Sequence, residues 1–177
     1  EIVSVLISYS GGVDSTFLLK IAKDVLNDDV LAVTARSTTY SEKEVDFAIG
    51  QCAIFAVRQL IIKTEELDNP EFASNPLNRC YHCKTELFSK LKLIADENKI
   101  KYVADGANYD DISDYRPGMT AAKELGIRSP LKEAQLTKNE IRELSKNMNI
   151  QTWDKPSMAC FASRFPYGTK ITEEYLK

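Results

Sequence analysis

The sequence predicts an α/β protein built on a parallel sheet with helices on both faces. Short apolar runs rich in Val, Ile and Leu alternate with longer segments whose apolar residues recur at helical spacing. The first of these runs, residues 2–8, is close to continuously apolar, as a strand buried on both faces requires. A glycine pair falls directly between that run and the first helical segment, the end of a parallel sheet where ligands bind.

Each element follows from local pattern. Residues 2–8 are the first strand, and 9–15 (YSGGVDS) are the turn after it. Phe17, Leu18, Ile21, Ala22, Val25 and Leu26 mark a helix that stops at Asn27-Asp28-Asp29. Residues 30–35 are a second strand. Ser41 and Glu44 have capping-box spacing and open a helix reaching about residue 57. Residues 59–63 are a third strand, 65–79 a polar loop, 81–97 a helix and 100–105 a fourth strand. A polar loop at 110–117 precedes a short helix at 119–125. Thr137 and Glu140 form a second capping box before a helix ending near Asn147. There is no internal repeat.

Composition bounds the function. With 177 residues, 44% of them hydrophobic, the chain can bury one ordinary core. Seven Gly and six Pro are too few for a low-complexity or collagen-like chain. The formal net charge of −3 argues against a general basic surface for nucleic acid and leaves only a local basic groove open. No apolar run approaches the roughly 18–20 residues of a membrane span. No signal-peptide pattern opens the chain, so a cytoplasmic location without membrane partners is expected.

The segment Ser10-Gly11-Gly12-Val13-Asp14-Ser15 is the most informative. Adjacent glycines let the backbone turn sharply and approach a ligand, and the helix N-terminus behind them suits an anion such as phosphate. Ser10, Ser15 and Thr16 offer hydroxyl donors. Asp14 would repel a bare phosphate, so it is expected either to bind the helix N–H groups or to hold Mg²⁺ against the phosphates. No Lys-Ser/Thr pair follows the glycines, and G-x-G-x-x-G spacing is absent, so neither common nucleotide loop is present.

Downstream, Asp105-Gly106-Ala-Asn108-Tyr-Asp110-Asp111 follows the fourth strand at the same sheet edge. Gly106 permits close backbone approach. Asn108, Asp110 and Asp111 either order a ligand or form an Asx-type turn. Arg116, in Asp114-Tyr-Arg-Pro-Gly118, is one cation for an anionic substrate or an ion pair.

Four cysteines without a secretory pattern argue against a disulfide scaffold. Cys52 sits among apolar residues and reads as a small buried hydrophobe. Cys80-Tyr-His-Cys83 opens a helix, where the dipole favours thiolate, and Cys160 follows far downstream. Four readings compete for these three: zinc with His82 as a further ligand, a thioredoxin-like redox pair, a 4Fe–4S cluster with one open iron, or inert thiols.

The glycine segment resembles the signature of the PP-loop ATP pyrophosphatases, which attach AMP to a substrate oxygen and let a nucleophile displace it. In that superfamily the end of the second strand contacts adenine, which implies Ala35 and Ser37 here. Over residues 10–15, 75–84, 105–111, 114–118, 129–131 and 156–168 the chain is similar to the LarE family of ATP-dependent sulfur transferases. The resemblance implies Cys160 as the sulfur-carrying residue. With Cys80 and Cys83 it implies the subtype in which three thiolates hold a 4Fe–4S cluster.

The implied cofactors are ATP, Mg²⁺ and that cluster. The implied substrate is a small-molecule nucleotide, pyridinium-3,5-biscarboxylic acid mononucleotide, for nickel-pincer cofactor synthesis, with sulfide coming from a separate donor. Arg164 is the candidate for steadying the adenylate, with Lys84 and Lys155 as further cations.

The chain opens on Glu1 rather than Met and stops at Lys177 inside what reads as a helix start. Residues 1–168 are therefore expected to form the PP-loop domain and 169–177 to begin a C-terminal region. In the family that region helps bind substrate and forms homo-oligomer contacts. The alternatives are a PP-loop tRNA thiolation enzyme, an ammonia-using PP-loop ligase, and a non-catalytic nucleotide-binding module with structural zinc.

Overall fold

Val5 pairs with Val30 on one side and with Tyr102 on the other, which puts the first strand inside the sheet. The computed structural model describes residues 2–113 and 116–176. Its four strands are β1 (Val5–Ser8), β2 (Val30–Arg36), β3 (Arg58–Lys63) and β4 (Tyr102–Ala104). They lie in the order β3-β2-β1-β4, and every pairing is parallel. The helices are α1 (Val13–Leu26), α2 (Glu42–Ile54), α3 (Pro70–Ala73), α4 (Arg79–Glu97), α5 (Pro117–Glu124), α6 (Pro130–Glu133), α7 (Lys138–Asn147) and α8 (Glu173–Leu176). No helix among the described residues is long and apolar enough to cross a membrane.

Alternation along the strands builds two core layers. Val5, Ile7, Val30 and Ala32 pack with Val13, Phe17 and Leu19 of α1, Ala48 of α2 and Ile141 of α7. Leu6, Leu31, Val33 and Val103 face the other way, against Leu87, Phe88 and Leu91 of α4 and Ala122 of α5. Each large side chain so buried contributes on the order of 1.5–3 kcal/mol, which sustains a central strand of only four residues. The expected parallel sheet with helices on both faces is the observed fold. The edge strand β3 carries Arg58 and Lys63 at its two ends, charges that discourage further strand pairing.

Several expected boundaries move, for identifiable reasons. The second helix ends at Ile54 because Ala56 adopts a left-handed φ of 52°. The fourth helix starts at Arg79 rather than 81, and the fourth strand shortens to three residues. The polar loop at 65–79 contains a 3₁₀ turn (Glu66–Asp68) and α3, which has Pro70 in its first turn and whose N-cap Asn69 accepts from the Glu71 N–H at 2.9 Å. The Thr137–Glu140 capping box forms in both directions. At Ser41 it does not, because the Glu44 carboxylate is drawn instead to Lys155 Nζ at 2.8 Å.

The strand order places the site. From β1 the chain steps outward to β2 and β3, then returns to place β4 on the opposite side of β1. A crevice therefore opens at the carboxyl ends of β1 and β4, where connections leave in opposite directions. The glycine loop leaves one of those ends and the 105–111 loop the other.

Candidate functional site

The turn after β1 is held from within. Tyr9 donates its N–H to Val33 O at 2.9 Å, and its carbonyl accepts from Thr34 Oγ1 at 2.8 Å. Gly11 then takes a φ of +72° with its α-carbon against Ala48 of α2, where a Cβ would approach to 3.1 Å. Ser10 and Ser15 hydroxyls meet at 3.1 Å across the loop. The N–H groups of Val13, Asp14 and Ser15, at the start of α1, have no acceptor among the described residues. They form an anion cradle at the positive end of a 14-residue helix.

Gly106 closes the cradle from the β4 side. A Cβ there would sit 2.9 Å from Ser15 N, so only glycine lets the two loops touch. Asp105 is occupied locally, accepting from Ser129 Oγ at 2.8 Å and from the Ala107 N–H at 3.2 Å.

Asp14 does not cap its own helix, one of the two roles expected of it. Its carboxylate is bonded to Lys138 Nζ and accepts from Asn108 Nδ2 at 3.3 Å. Sequence reading missed Lys138, although a signal existed. It opens α7, at the positive end of a helix, where a cation is disfavoured unless something nearby compensates it. Asp110 and Asp111 behave as the plain turn alternative requires. Asp110 accepts from the Lys138 N–H at 2.8 Å, and Asp111 accepts from the Asn108 N–H at 2.9 Å and pairs with Arg116 at 3.0 Å. Asp114 and Tyr115, singled out with Arg116, lie outside the described residues.

Ala35 and Ser37 lie at the end of β2, the strand next to the one that leads into the glycine loop. Ser37 Oγ donates to Glu66 Oε1 at 2.6 Å, and Thr39 Oγ1 donates to the same oxygen. Glu66 is 2% exposed, and its Oε2 is buried without a partner. It was not among the candidates, because within Thr64-Glu65-Glu66-Leu67-Asp68 it reads as one more solvated acid.

The three cysteines are brought to one corner. The 155–171 segment crosses the carboxyl ends of the sheet and is stitched down at four points. Lys155 Nζ donates to Gly11 O at 3.0 Å, the Phe161 N–H to Thr39 O at 2.9 Å, the Gly168 N–H to Asn75 O at 2.9 Å and the Ile171 N–H to Ala73 O at 2.8 Å. Cys83 and Cys160 pack against the small apolar cluster of Phe72, Ala162 and Ile171. Cys160 is within electrostatic reach of both Cys80 and Cys83.

Burial raises the Cys160 thiol above its ordinary value, opposed by the Ser163 N–H and by Arg79. Burial also pushes Cys83 up to about 12, opposed by the charge of Lys84. The expectation that the helix start favours thiolate therefore fails at Cys83, which lies a full turn inside α4, where desolvation outweighs the dipole. Tyr40, whose hydroxyl is 3.9 Å from Cys83 Sγ, is likewise pushed up by burial and by Cys83, Glu66 and Cys160.

His82 is spoken for. Its Nδ1 lies 3.0 Å from Glu71 Oε2 and its Nε2 3.3 Å from Asn78 Nδ2, so it offers no free nitrogen as a fourth zinc ligand. No three His, Cys, Asp or Glu among the described residues stand together tightly enough to hold a single metal ion. Cys52 is buried on α2, as expected of a small hydrophobe. Arg164 is exposed, with its guanidinium 4.5 Å from the Phe161 ring centroid and no carboxylate partner among the described residues. Lys84 lies over Phe88.

No family model matches the chain. It is 46% identical over all 177 of its residues to an uncharacterized protein of Synechocystis (slr1717), spanning 66% of that protein. It is 36% identical over 171 residues (96% of the chain and 62% of the relative) to the pyridinium-3,5-bisthiocarboxylic acid mononucleotide synthase of Lactiplantibacillus plantarum. It is 30% identical over 173 residues to an uncharacterized protein of Methanocaldococcus jannaschii (MJ0830), spanning 98% of the chain and 65% of that relative. The chain thus spans less than two thirds of the length of these relatives.

Proposed function

We propose that the chain is the nucleotide-activating part of a LarE-type sulfur transferase. In this reading it uses ATP to adenylate a carboxylate of pyridinium-3,5-biscarboxylic acid mononucleotide, and a sulfide from a separate donor, delivered at the corner of Cys80, Cys83 and Cys160, attacks the carboxyl carbon and displaces AMP. The observation that supports this most is the bond from Lys155 to Gly11, which docks the segment bearing Cys160 onto the glycine loop. Adenylation and sulfur delivery are then neighbours at one sheet edge.

The N–H groups of Val13, Asp14 and Ser15, with the Ser10 and Ser15 hydroxyls, suit the phosphates of ATP. A substrate carboxylate oxygen attacks the α-phosphorus and pyrophosphate leaves with its electron pair. Donors fixed before the reaction stabilise that charge without reorganising. Asp14 is the one carboxylate at the loop suited to Mg²⁺ on those phosphates. Mg²⁺ held there would supply positive charge against the phosphates, and the Lys138 ammonium paired with Asp14 is a second cation at the loop. Ala35 and Ser37 are the candidates for the adenine side and Gly106 for the floor, and Arg164, on the 3₁₀ turn after Cys160, is the candidate cation for the adenylate.

Three cysteines within electrostatic reach of one another, with both nitrogens of His82 engaged elsewhere, favour a 4Fe–4S cluster over a zinc ion in this reading. A mononuclear site needs every sulfur within about 2.3 Å of one metal, whereas a cube of four irons spreads its thiolates apart. Cys80, Cys83 and Cys160 would hold that cluster, which when bound supplies an open iron able to carry a sulfide. The protein's own part is to pack Cys83 and Cys160 beside Phe72 and Ile171, to leave Cys80 exposed at the same corner, and to tie the segment bearing Cys160 to the loop.

The deciding experiment is anaerobic purification with iron, acid-labile sulfide and zinc counted per chain, alongside pyrophosphate release from ATP with and without the mononucleotide. About four iron and four sulfide per chain, with substrate-dependent pyrophosphate release, are expected. Zinc without iron would remove the cluster. Absence of substrate-stimulated pyrophosphate release would remove the adenylation step.

A further inference from the structure

One buried charge at this site has no carboxylate counter-ion among the described residues. Arg79 is the first residue of α4 and 6% exposed, so a fixed cation sits at the positive end of a 19-residue helix. Lys138, the other cation that opens a helix here, is matched by Asp14. Arg79 has no carboxylate partner among the described residues, and the first turn of its helix contains no acid. Its Nη1 donates to Asn75 Oδ1 at 2.9 Å, and its guanidinium carbon lies 4.8 Å from the Tyr167 ring centroid. Its Nε is buried and unpartnered.

The surroundings are built around that group. Asn75 is fully buried in a left-handed φ of 55°. It donates from Nδ2 to Pro166 O at 2.9 Å, and its carbonyl accepts from the Gly168 N–H at 2.9 Å. The turns at 75–79 and 165–168 are thereby clamped on either side of the guanidinium. Taking such an ion out of water costs several kcal/mol, and one amide bond and one aromatic face offset only about 1–2 kcal/mol each. The missing compensation has the sign of an anion, and Cys160 lies within the field of this cation.

We propose that Arg79 is an oxyanion-binding residue whose ligand is a phosphate or carboxylate of the small substrate presented to Cys160. The inference rests on the sulfur-transferase reading for the identity of that substrate, but not for the existence of the anion site.

The test is calorimetric titration of the full-length protein and its Arg79→Lys and Arg79→Gln variants. The titrants are pyridinium-3,5-biscarboxylic acid mononucleotide, its dephosphorylated nucleoside and inorganic phosphate, with Mg·ATP binding as the control for folding. Arg79→Gln is expected to weaken the mononucleotide by roughly tenfold or more and Arg79→Lys by less, while Mg·ATP binding stays within about twofold. A loss shared by the nucleoside assigns the contact to a carboxylate, and a loss confined to the mononucleotide and phosphate assigns it to the phosphate. Equal affinity in wild type and Arg79→Gln for all three titrants overturns the proposal.

If the wild type binds Mg·ATP but not the mononucleotide, the sulfur-transferase reading fails on its own. Inorganic phosphate then decides the site: weaker binding by Arg79→Gln upholds it, and equal or absent binding by the wild type overturns it. Should Arg79→Gln lose Mg·ATP binding through misfolding, Tyr167→Leu at the exposed stacking face replaces it. A loss of about threefold in mononucleotide affinity is then expected, and none overturns the proposal.

Discussion

Lys155 and Gly11 stand 144 positions apart in sequence, yet the Lys155 ammonium donates to the Gly11 carbonyl at 3.0 Å. The same nitrogen pairs with Glu44 at 2.8 Å and lies 3.9 Å from the Phe47 ring centroid. One side chain thus ties the glycine loop, the second helix and the approach to Cys160 into a single unit. Lys155→Ala should cost about 1–3 kcal/mol of stability, read as a lower urea midpoint. It should also speed alkylation of Cys160 by iodoacetamide, followed by peptide mass spectrometry. An unchanged alkylation rate would show that this bond does not position the segment.

Two glycines make opposite predictions. Gly106→Ala puts a methyl group 2.9 Å from Ser15 N, so the start of α1 must move. A loss of about 1–3 kcal/mol and of measurable ATP binding is expected. Gly50 lies within α2, and a methyl group there would meet nothing within 4 Å. Gly50→Ala should therefore stabilise by about 0.5–1 kcal/mol through helix propensity. Thermal midpoints of the two variants, measured side by side, check both signs.

Asp14 and Lys138 should separate by kinetic role. Asp14→Asn removes the carboxylate suited to Mg²⁺ and should lower AMP-forming turnover by roughly 100-fold or more. Lys138→Met should lower kcat by about tenfold or more while changing KM for ATP less, if its ammonium, paired with Asp14 in the free protein, acts on charge that develops in the transition state. A KM effect without a kcat effect would assign Lys138 to ground-state binding instead.

The buried Cys52 thiol sets an alkaline limit. Burial pushes it up to about 12 from an ordinary value of 9.0. The folded form therefore keeps its proton while the unfolded chain loses it above pH 9. The stability from the protonated thiol is fully present below pH 9 and falls between pH 9 and 12, by up to about 1.4 kcal/mol per pH unit. Urea midpoints at pH 8, 9.5 and 10.5 should fall less steeply for Cys52→Ala than for the wild type. Parallel slopes would remove Cys52 as the cause.

How much of the site could be read in advance follows from how local each signal is. The Ser10–Ser15 loop is legible because its chemistry is contained in six consecutive residues between a strand and a helix. Lys138 left a trace, a cation at a helix start, but its partner Asp14 lies on another element. Glu66 left none: its burial is created by Ser37 and Thr39 from the end of β2. Ser41 and Glu44 show the converse, since correct local spacing loses to a charge arriving from position 155.

Local pattern alone dictates the alternation of strands and helices, and with it the parallel sheet and the sheet edge that bears the glycine loop. Hydrophobic period and turn chemistry act over a few residues, so they survive being read in one dimension. Packing between distant elements is what brings Cys160 within electrostatic reach of Cys80 and Cys83, gives Asp14 to Lys138 rather than to its own helix, and buries Arg79 with no carboxylate partner among the described residues. Charge, protonation and reach depend on which groups are withdrawn from water together, and that is set by packing between elements far apart in the chain.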